Sequence, residues 1–202
     1  MIKAWKHRHE LFSRFDEGVQ FDREGFEAAK SETVANFVAK HLPGNTVLDA
    51  FTGIGGSAIG FAREGKKVIS VEIDAKRSKM AQHNAAIYGV AKRINFIVGD
   101  TMKLWKNLAF DAAYLDPSWG GVGYEKFKSL RFSSFEPNVM RLVRALLGSG
   151  KNVAVTLPLN FDLNELKRVQ SDVRLYFNDQ YEKPYCIHCI WRAEREDKRD
   201  AG

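Results

Sequence analysis

The segment from Asp49 to Ser57 has the composition of a loop that binds a nucleotide-like cofactor. It reads Asp-Ala-Phe-Thr-Gly-Ile-Gly-Gly-Ser and lies between a predicted strand and a predicted helix. Glycines such as Gly53 and Gly55 let the backbone turn sharply and approach a ligand closely. The spacing Gly53-x-Gly55-x-x-Ala58 also fits the fingerprint of dinucleotide-binding proteins, so the glycines alone do not identify the cofactor.

Three acidic residues at predicted strand ends narrow the choice of cofactor. Asp49 precedes the loop, where its carboxylate could pair with the cationic amino group of a methionine moiety and would repel a pyrophosphate. Glu72 ends the second strand and could hydrogen-bond to ribose hydroxyls. Asp100 follows the third strand and could reach an adenine amino group, although its place before Thr101 also suits a helix N-cap. Together these acids favour S-adenosylmethionine over nicotinamide adenine dinucleotide.

A second motif, Asp116-Pro117-Ser118-Trp119, directly follows the fourth predicted strand. It resembles the (Asp/Asn/Ser)-Pro-Pro-aromatic motif of methyltransferases that modify amino groups on planar rings. Such an amine is a poor nucleophile because its lone pair is delocalised, so the nitrogen, the methyl carbon and the sulfur must be held in line. We expect the Asp116 carboxylate and the Pro117 carbonyl to accept hydrogen bonds from the amine. Asp116 would also stabilise the positive charge that develops on the nitrogen.

Trp119 is the candidate platform for the base that carries this amine. Stacking of a base on an aromatic side chain contributes ~1–3 kcal/mol. The alternative interpretation is structural, a tight proline-containing turn with a packed tryptophan. The position of the motif after the fourth strand favours the catalytic interpretation.

These motifs require a scaffold that brings successive strand ends together. From residue 32 onward, helical and extended segments alternate, as is typical of a parallel sheet with crossover helices. We predict strands at 46–49, 67–72, 94–98, 111–115 and 152–157, and helices at about 32–41, 56–64, 75–88, 101–107, 135–147 and 162–170.

Two further β-rich runs, 173–177 and 185–191, are joined by a connection too short for a crossover helix, so they must pair antiparallel. The predicted architecture is therefore the α/β, Rossmann-like fold of class I S-adenosylmethionine-dependent methyltransferases. Its sheet is mostly parallel and ends in an antiparallel hairpin.

The 202 residues suit one methyltransferase domain that covers 1–202. Residues 1–31 are rich in arginine, lysine and aromatic side chains, and we expect this N-terminal arm to contribute to the cofactor and substrate site. Residues 193–202 form a charged tail that should fray.

Charge and hydropathy limit the class of protein. Lys and Arg number 31 against 25 for Asp and Glu, a net charge of +6 that suits RNA or DNA, although basic surfaces also occur on proteins that bind neither. The sequence lacks both an apolar run long enough to span a membrane and the apolar core of a signal peptide. We expect an intracellular monomer, cytoplasmic in a prokaryote and nuclear in a eukaryote.

The sequence contains two cysteines, Cys186 and Cys189, within one predicted strand. Side chains alternate between the faces of a strand, so these two thiols should point in opposite directions. We therefore predict neither a shared metal site nor a disulfide, and place His188 on the same face as Cys186.

The sequence resembles the trimethylguanosine synthase family, whose members methylate the N2 amine of a 7-methylguanosine RNA cap with S-adenosylmethionine. The resemblance covers most of the chain. Its most specific part is Arg14-Phe15-Asp16 in the arm, which generic methyltransferases lack. The matching segments are Trp5, 11–18, 22–26, 49–51, 53–56, 72–74, 83–85, 88–89, 99–100 and 117–121.

The resemblance implies roles for individual residues. Trp119 would stack on the guanine, Tyr124 would help to enclose it, and Lys3 would approach the cap phosphates. Phe12 or Phe15 would cover the cofactor. An N7-methylated guanine is cationic, so stacking on the indole would add a cation–π interaction. The residues implied to contact the cofactor, with those proposed above, are Phe12, Phe15, Asp49, Gly53, Gly55, Ser57, Glu72, Ile73, Asp100 and Asp116.

The implied activity is methyl transfer to the N2 amine of guanine in RNA, at a 7-methylguanosine cap or a cap-like end. The first alternative is a guanine within tRNA or rRNA. Adenine N6 and a protein glutamine amide are further possible acceptors, which the arm disfavours. An alternative of another class is an RNA-binding module that keeps the fold without turnover.

Three departures from the family pattern bear on the substrate. The family has Ser-Pro-Pro-Trp where this chain has 116–119, and Thr-Pro-Glu where it has Lys30-Ser31-Glu32. The family's Leu-Pro-Arg-Asn, whose arginine is thought to grip cap phosphate, appears as Leu157-Pro158-Leu159-Asn160. Losing that guanidinium removes a charge-assisted contact, which favours the alternative of an uncapped guanine.

Overall fold

The computed structural model of the protein describes residues 3–119, 123–169, 173–180 and 183–193, apart from the side chains of residues 3, 180 and 183. Gly120 and Gly121 of the second motif, and the predicted charged tail from residue 194 onward, lie outside these ranges. Within them, the strands are β1 Thr46–Asp49, β2 Lys67–Glu72, β3 Ile94–Val98, β4 Ala112–Leu115, β5 Asn152–Pro158, β6 Val173–Gln180 and β7 Lys183–Trp191.

The strands form a seven-stranded sheet in the order β3-β2-β1-β4-β5-β7-β6. β1 lies between β2 and β4, and the pairs from β3 through to β5 are parallel. β7 pairs antiparallel with both β5 and β6. The predicted fold, a mostly parallel sheet that ends in an antiparallel hairpin, is confirmed. The strand order reverses between β1 and β4, and ligands bind outside the carboxyl ends of the strands at such a switch point.

Eight α-helices are described, and several begin at a side-chain cap. Asp22, Asp74 and Asp100 each accept a hydrogen bond from a backbone N–H in the first turn of the following helix, the arrangement expected of an N-cap. None of the described helices is long and apolar enough to cross a membrane. The helices are α1 Lys3–Lys6, α2 Arg8–Leu11, α3 Arg23–Ala28, α4 Glu32–His41, α5 Gly56–Arg63, α6 Ala75–Ile87, α7 Thr101–Leu104 and α8 Met140–Gly148.

The helix predicted at 135–147 begins later than expected, at Met140. Phe135 has an extended backbone, and Glu136 precedes Pro137, a position that disfavours helical geometry. The N–H of Glu136 instead donates to the carbonyl of Ser118, at 3.2 Å. This segment therefore supports the loop that carries the second motif.

Two other predicted helices are partly or wholly of the 3₁₀ type. The segment predicted at 101–107 divides into α7 and a 3₁₀ turn, Trp105–Asn107. The segment predicted at 162–170 is a 3₁₀ helix, Leu163–Arg168, and residue 170 lies outside the described ranges.

Hydrophobic side chains cover both faces of the sheet, as a parallel sheet requires. One cluster contains Leu142 and Leu146 of α8, together with Trp119 and Trp191. The other joins α4 and α5 to the N-terminal arm, and its largest buried members include Leu11, Phe12, Phe26 and Phe61. The arm therefore packs on the sheet face that carries the Gly-rich turn.

Helices α4 and α5 approach so closely that a methyl group between them should not fit. A Cβ added at Gly60 would lie 2.6 Å from the Cβ of Ala35. We expect Gly60→Ala to lower the free energy of unfolding by about 1–3 kcal/mol, the usual cost of overpacking. Gly148→Ala is the matched control, because a Cβ there meets nothing within 4 Å. Equal effects of the two substitutions in urea denaturation would contradict this close contact.

Candidate active site

The Gly-rich turn connects the end of β1 to the start of α5 with two left-handed glycines. Gly53 has φ 56° and Gly55 has φ 97°, values that favour glycine over residues with a side chain. A Cβ at Gly53 would meet nothing within 4 Å, whereas one at Gly55 would lie 3.0 Å from the Cβ of Ala81. Gly53 thus borders open space, and Gly55 lets the turn pack against α6.

Asp49 is fully buried, and neither of its carboxylate oxygens has a donor in hydrogen-bond geometry among the described residues, although the Thr52 hydroxyl and the N–H of Ala58 lie near enough to oppose part of the rise in its pKa. Burial, together with the nearby carboxylates of Asp116 and Glu72, raises the pKa of Asp49 to about 8. A buried acceptor without a partner is costly unless a ligand satisfies it. The cationic amino group of S-adenosylmethionine would do so, and the residues present therefore fit this cofactor.

The Glu72 carboxylate is held in a fixed orientation by two backbone donors. Oε2 accepts from the N–H of Gly53 at 2.7 Å, and Oε1 accepts from the N–H of Asp74 at 2.9 Å. Each oxygen retains a lone pair that could accept from a ribose hydroxyl. Ile73 is 72% exposed, so its apolar side chain is available to an adenine ring. Ser57 lies half-buried in the first turn of α5.

Asp100 caps α7, as the alternative interpretation of this residue expected. Its Oδ1 accepts from the N–H of Met102 at 2.9 Å, and its Oδ2 lies 3.5 Å from the ammonium of Lys103. Capping uses only part of the accepting capacity of a carboxylate. Asp100 could therefore still receive a hydrogen bond from an adenine amino group.

The two phenylalanines proposed to cover the cofactor lie in different surroundings. Phe12 is buried against the Gly-rich turn, since a Cβ added at Gly56 would lie 3.7 Å from its Cζ. Phe15 belongs to an aromatic cluster of the arm, with ring centroids 5.5 Å from Phe21 and 5.6 Å from Phe26. Of these two phenylalanines, Phe12 is therefore the one that lies against the Gly-rich turn.

Asn84 of α6 and Tyr88, the residue directly after that helix, hold the arm in place. The buried Asn84 accepts from the N–H of Gln20 at 2.8 Å and donates to the carbonyls of Gln20 and Ile54, each at 2.9 Å. The Tyr88 hydroxyl accepts from the N–H of Arg14 at 3.2 Å and donates to the Glu32 carboxylate. The sequence signal for these contacts is the family match at 83–85 and 88–89.

Glu32 collects several donors at the junction of the arm and α4. It accepts from the N–H and the hydroxyl of Ser13, at 2.8 and 3.0 Å, and from Arg63 at 2.6 Å. Burial alone would raise the pKa of Glu32, but hydrogen bonds from Tyr88, Ser13 and Arg63 lower it below its usual value. An ionised Glu32 therefore fastens the arm to both α4 and α6.

Asp116 forms a buried ion pair with Lys30, a residue that sequence reasoning recorded only as a departure from the family. The Lys30 ammonium lies 2.8 Å from Oδ2 of Asp116, and the side chains are 5% and 14% exposed. Burial raises the pKa of Asp116, and Lys30 partly opposes that shift. Burial alone would lower the pKa of Lys30, but Asp116 raises it above the usual lysine value. Lys30 is thus a buried ammonium beside the proposed acceptor carboxylate.

Trp119 is fixed among aromatic and polar neighbours and is only 6% exposed. Its Nε1 donates to the carbonyl of Thr156 at 3.2 Å. Tyr124 meets the indole edge-on with centroids 5.0 Å apart, and Tyr185, which sequence reasoning missed, lies at 5.8 Å. The Lys30 ammonium lies over the indole, 4.6 Å from the ring centroid.

A chain of buried polar side chains supports the motif from within the sheet. The hydroxyls of Tyr114 and Thr156 are 2.8 Å apart, and Nδ1 of His188 lies 3.1 Å from Thr156. Burial and the nearby Lys30 lower the pKa of His188 to about 3, so its ring is neutral. Both cysteines are free and buried, and the Cys186 thiol lies 3.6 Å from Nε2 of His188, which confirms that these two side chains share a face.

Two sequence-predicted residues contribute less to the described site. The side chain of Lys3 lies outside the described part of the chain. Pro117, within the motif, has a buried side chain. Asn160, which sequence reasoning did not single out, donates to the carbonyls of Tyr124 and Phe127 at 3.2 and 2.8 Å and so positions the Tyr124 segment.

Three features define a class I S-adenosylmethionine-dependent methyltransferase. They are the acids at the ends of β1, β2 and β3, the Gly-rich turn, and the motif after β4. The fold agrees with solved structures. A Porphyromonas gingivalis protein with a methyltransferase assignment superposes with a TM-score of 0.76 at 17% identity, over 94% of this chain and 48% of its own. An RNA methyltransferase from Salinibacter ruber, in complex with S-adenosylhomocysteine, gives a TM-score of 0.57 at 19% identity, over 86% of this chain and 98% of its own.

Sequence comparison identifies the family. The profile of the RNA cap guanine-N2 methyltransferases matches residues 44–183. Trimethylguanosine synthase of Schizosaccharomyces pombe is 36% identical over 95% of this chain and 81% of its own length. The chain belongs to the RNA cap guanine-N2 methyltransferase family. It is an S-adenosylmethionine-dependent RNA methyltransferase.

Replacing Asp49 tests its assignment to the amino group of the cofactor. We expect Asp49→Asn to weaken S-adenosylmethionine binding by roughly 10- to 100-fold, because a hydrogen bond to a charged group contributes ~1.5–3 kcal/mol. The affinity of the unsubstituted protein should rise as the pH approaches about 8, where the Asp49 carboxyl ionises, and fall again at higher pH, because an α-amino group loses its proton near ~8. The variant should show no such rise in calorimetric titrations.

The same substitution should also change the pH dependence of stability. The folded pKa of Asp49, about 8, lies above the ordinary value of 3.8, so its stabilising contribution is lost as the pH rises through about 8. Asp49→Asn should lack this loss in urea denaturation without cofactor. Asp111→Asn is the matched control, because Asp111 binds the N–H groups of Asn45 and Thr46 at the start of β1. Unchanged cofactor affinity in Asp49→Asn would contradict the assignment.

Tyr88→Phe tests how the arm is attached. Loss of the hydroxyl removes the bridge between Arg14 and Glu32, worth about 0.5–1.5 kcal/mol, so trypsin should cleave after Arg14 about 2- to 10-fold faster. Tyr176→Phe is the control, since the Tyr176 ring packs against Phe37 on α4, away from the arm. Equal cleavage rates in both variants would show that this hydroxyl does not hold the arm.

Proposed function

We propose that this enzyme methylates the exocyclic N2 amine of guanine in RNA, at a cap or a cap-like 5′ end. The observation that carries the proposal is the position of Asp116 and Trp119 directly after β4, beside the Asp49 carboxylate at the end of β1. A planar base next to Trp119 would present its amine to Asp116. The family match and the net charge of +6 support RNA as the substrate.

The cofactor supplies an electrophilic methyl group attached to a sulfonium. Oδ2 of Asp116 is taken by Lys30, so Oδ1 is the oxygen we assign to the guanine amine, together with the Pro117 carbonyl. These acceptors orient the nitrogen lone pair towards the methyl group. The amine nitrogen would bond to the methyl carbon as the carbon–sulfur bond breaks, which would leave the cofactor as a neutral thioether. The Asp116 carboxylate stabilises the positive charge that develops on the nitrogen, and its Oδ1 then accepts one proton from the amine.

A guanine within tRNA or rRNA is the second candidate acceptor. It is favoured by Leu159, which stands where the family carries an arginine and is 44% exposed. An exposed leucine offers no charge-assisted contact to a cap phosphate. Binding of an uncapped RNA would not require that contact.

Transfer of tritiated methyl groups tests these assignments. The acceptors are 7-methylguanosine diphosphate, GTP and bulk tRNA, and chromatography of the digested nucleosides identifies the methylated position. We expect N2-methylguanosine as the product. N6-methyladenosine or methylated protein glutamine as the product would overturn the guanine assignment, and failure to bind S-adenosylmethionine would favour a non-enzymatic RNA-binding module.

Trp119→Ala should separate base binding from cofactor binding. Loss of base stacking, ~1–3 kcal/mol, should reduce transfer by at least about tenfold while the Kd of S-adenosylmethionine changes little. Trp105→Ala, in the partly buried turn after α7, is the control for loss of a tryptophan. If Trp119→Ala instead abolishes cofactor binding, the role assigned to Trp119 is wrong.

A further inference from the structure

Two departures from the family pattern meet in the structure as one pair. Residue 30 stands where the family has threonine, and residue 116 stands where it has serine. In this chain the two positions carry opposite charges, and Lys30 and Asp116 are 2.8 Å apart in a buried ion pair. Introducing either charge alone would leave it buried without a partner, which is strongly destabilising. The two substitutions therefore act as a single change to the site.

The Lys30 ammonium has a fixed position over Trp119. It is 4.6 Å from the centroid of the Trp119 ring and 5.5 Å from that of Tyr185, and it donates to the carbonyl of Ala28 at 3.2 Å. Moving the ammonium away from Asp116 would cost more free energy than a cation–π contact with an indole contributes. A base that approaches Trp119 therefore meets an ammonium that stays in place.

A fixed ammonium at this point alters which form of guanine the site prefers. It already makes the cation–π contact that Trp119 offers, and its pairing with Oδ2 weakens the attraction of the Asp116 carboxylate for a cationic ring, while Oδ1 still accepts from the guanine amine. N7-methylated guanine carries a positive charge, and like charges in a partly buried site repel. Unmethylated guanine is neutral and escapes this repulsion.

We propose that Lys30 is a specificity-determining residue that makes this enzyme select neutral guanine over N7-methylated, cationic guanine. The inference rests on the proposed guanine-N2 activity and specifies its substrate. Among 5′ ends, it points to a terminal guanine that has not been methylated at N7.

The test compares kcat/KM for GDP with kcat/KM for 7-methyl-GDP. The decisive variant is K30T/D116S, which carries the family's residues at both positions and leaves no buried charge unpaired. We expect the unsubstituted enzyme to favour GDP by about tenfold, and the double variant to shift the ratio by about tenfold towards 7-methyl-GDP. K106T is the matched control, because Lys106 also lies over an indole, 5.8 Å from the Trp105 ring, but outside the site, and it should leave the ratio unchanged.

For variants with slow turnover, tryptophan fluorescence gives the dissociation constants of GDP and 7-methyl-GDP. Their ratio then takes the place of the ratio of kcat/KM values. Urea denaturation checks that the double variant is folded. Equal or stronger binding of 7-methyl-GDP by the unsubstituted enzyme would overturn the role of Lys30, as would an unchanged ratio in K30T/D116S. Absence of N2-methylguanine from every guanine acceptor is a different result, and it would reject the proposed function itself.

Discussion

The buried ion pair between Lys30 and Asp116 joins the N-terminal arm to the strand that carries the acceptor carboxylate. Two charges removed from water are tolerated only when they pair closely, so the site reaches its described form only when the arm is docked. Asn84 of α6 and Tyr88 just after that helix bind the backbone of the arm. Glu32 at the start of α4 accepts from Ser13 of the arm and from Tyr88. Docking of the arm therefore also sets the electrostatic environment of Asp116.

Three carboxyl groups converge where β1, β2 and β4 end. Burial, together with the nearby Asp116 and Glu72 carboxylates, raises the pKa of Asp49 to about 8. Backbone N–H groups stabilise Glu72, and Lys30 stabilises Asp116, but Asp49 has no partner among the described residues. The unsatisfied carboxylate is a free-energy cost of the empty fold that a cationic ligand would relieve. Cofactor binding and folding stability are consequently linked through one side chain.

Most of the secondary structure followed from local patterns. The five parallel strands and helices α4 to α6 lie within a residue or two of the predicted bounds, because hydrophobic periodicity, caps and glycine turns act over short distances. The start of α8 was wrong by five residues. The apolar residues around Phe135 fit a helical pattern, but Pro137 and the bond from Glu136 to Ser118 hold that segment extended. The hydrogen bond from Glu136 to Ser118 is a tertiary contact, and a local sequence pattern cannot reveal it.

The fold class, the Gly-rich turn and the acids at the strand ends could be predicted from the sequence, because each is encoded by neighbouring residues. The two departures at positions 30 and 116 were also visible there. The folded structure was needed to show that these two residues pair, that Trp119 lies under an ammonium, and that the oxygens of Asp49 are unsatisfied. Pairing, burial and desolvation depend on which distant segments meet, and that is set by the packing of the arm on the sheet.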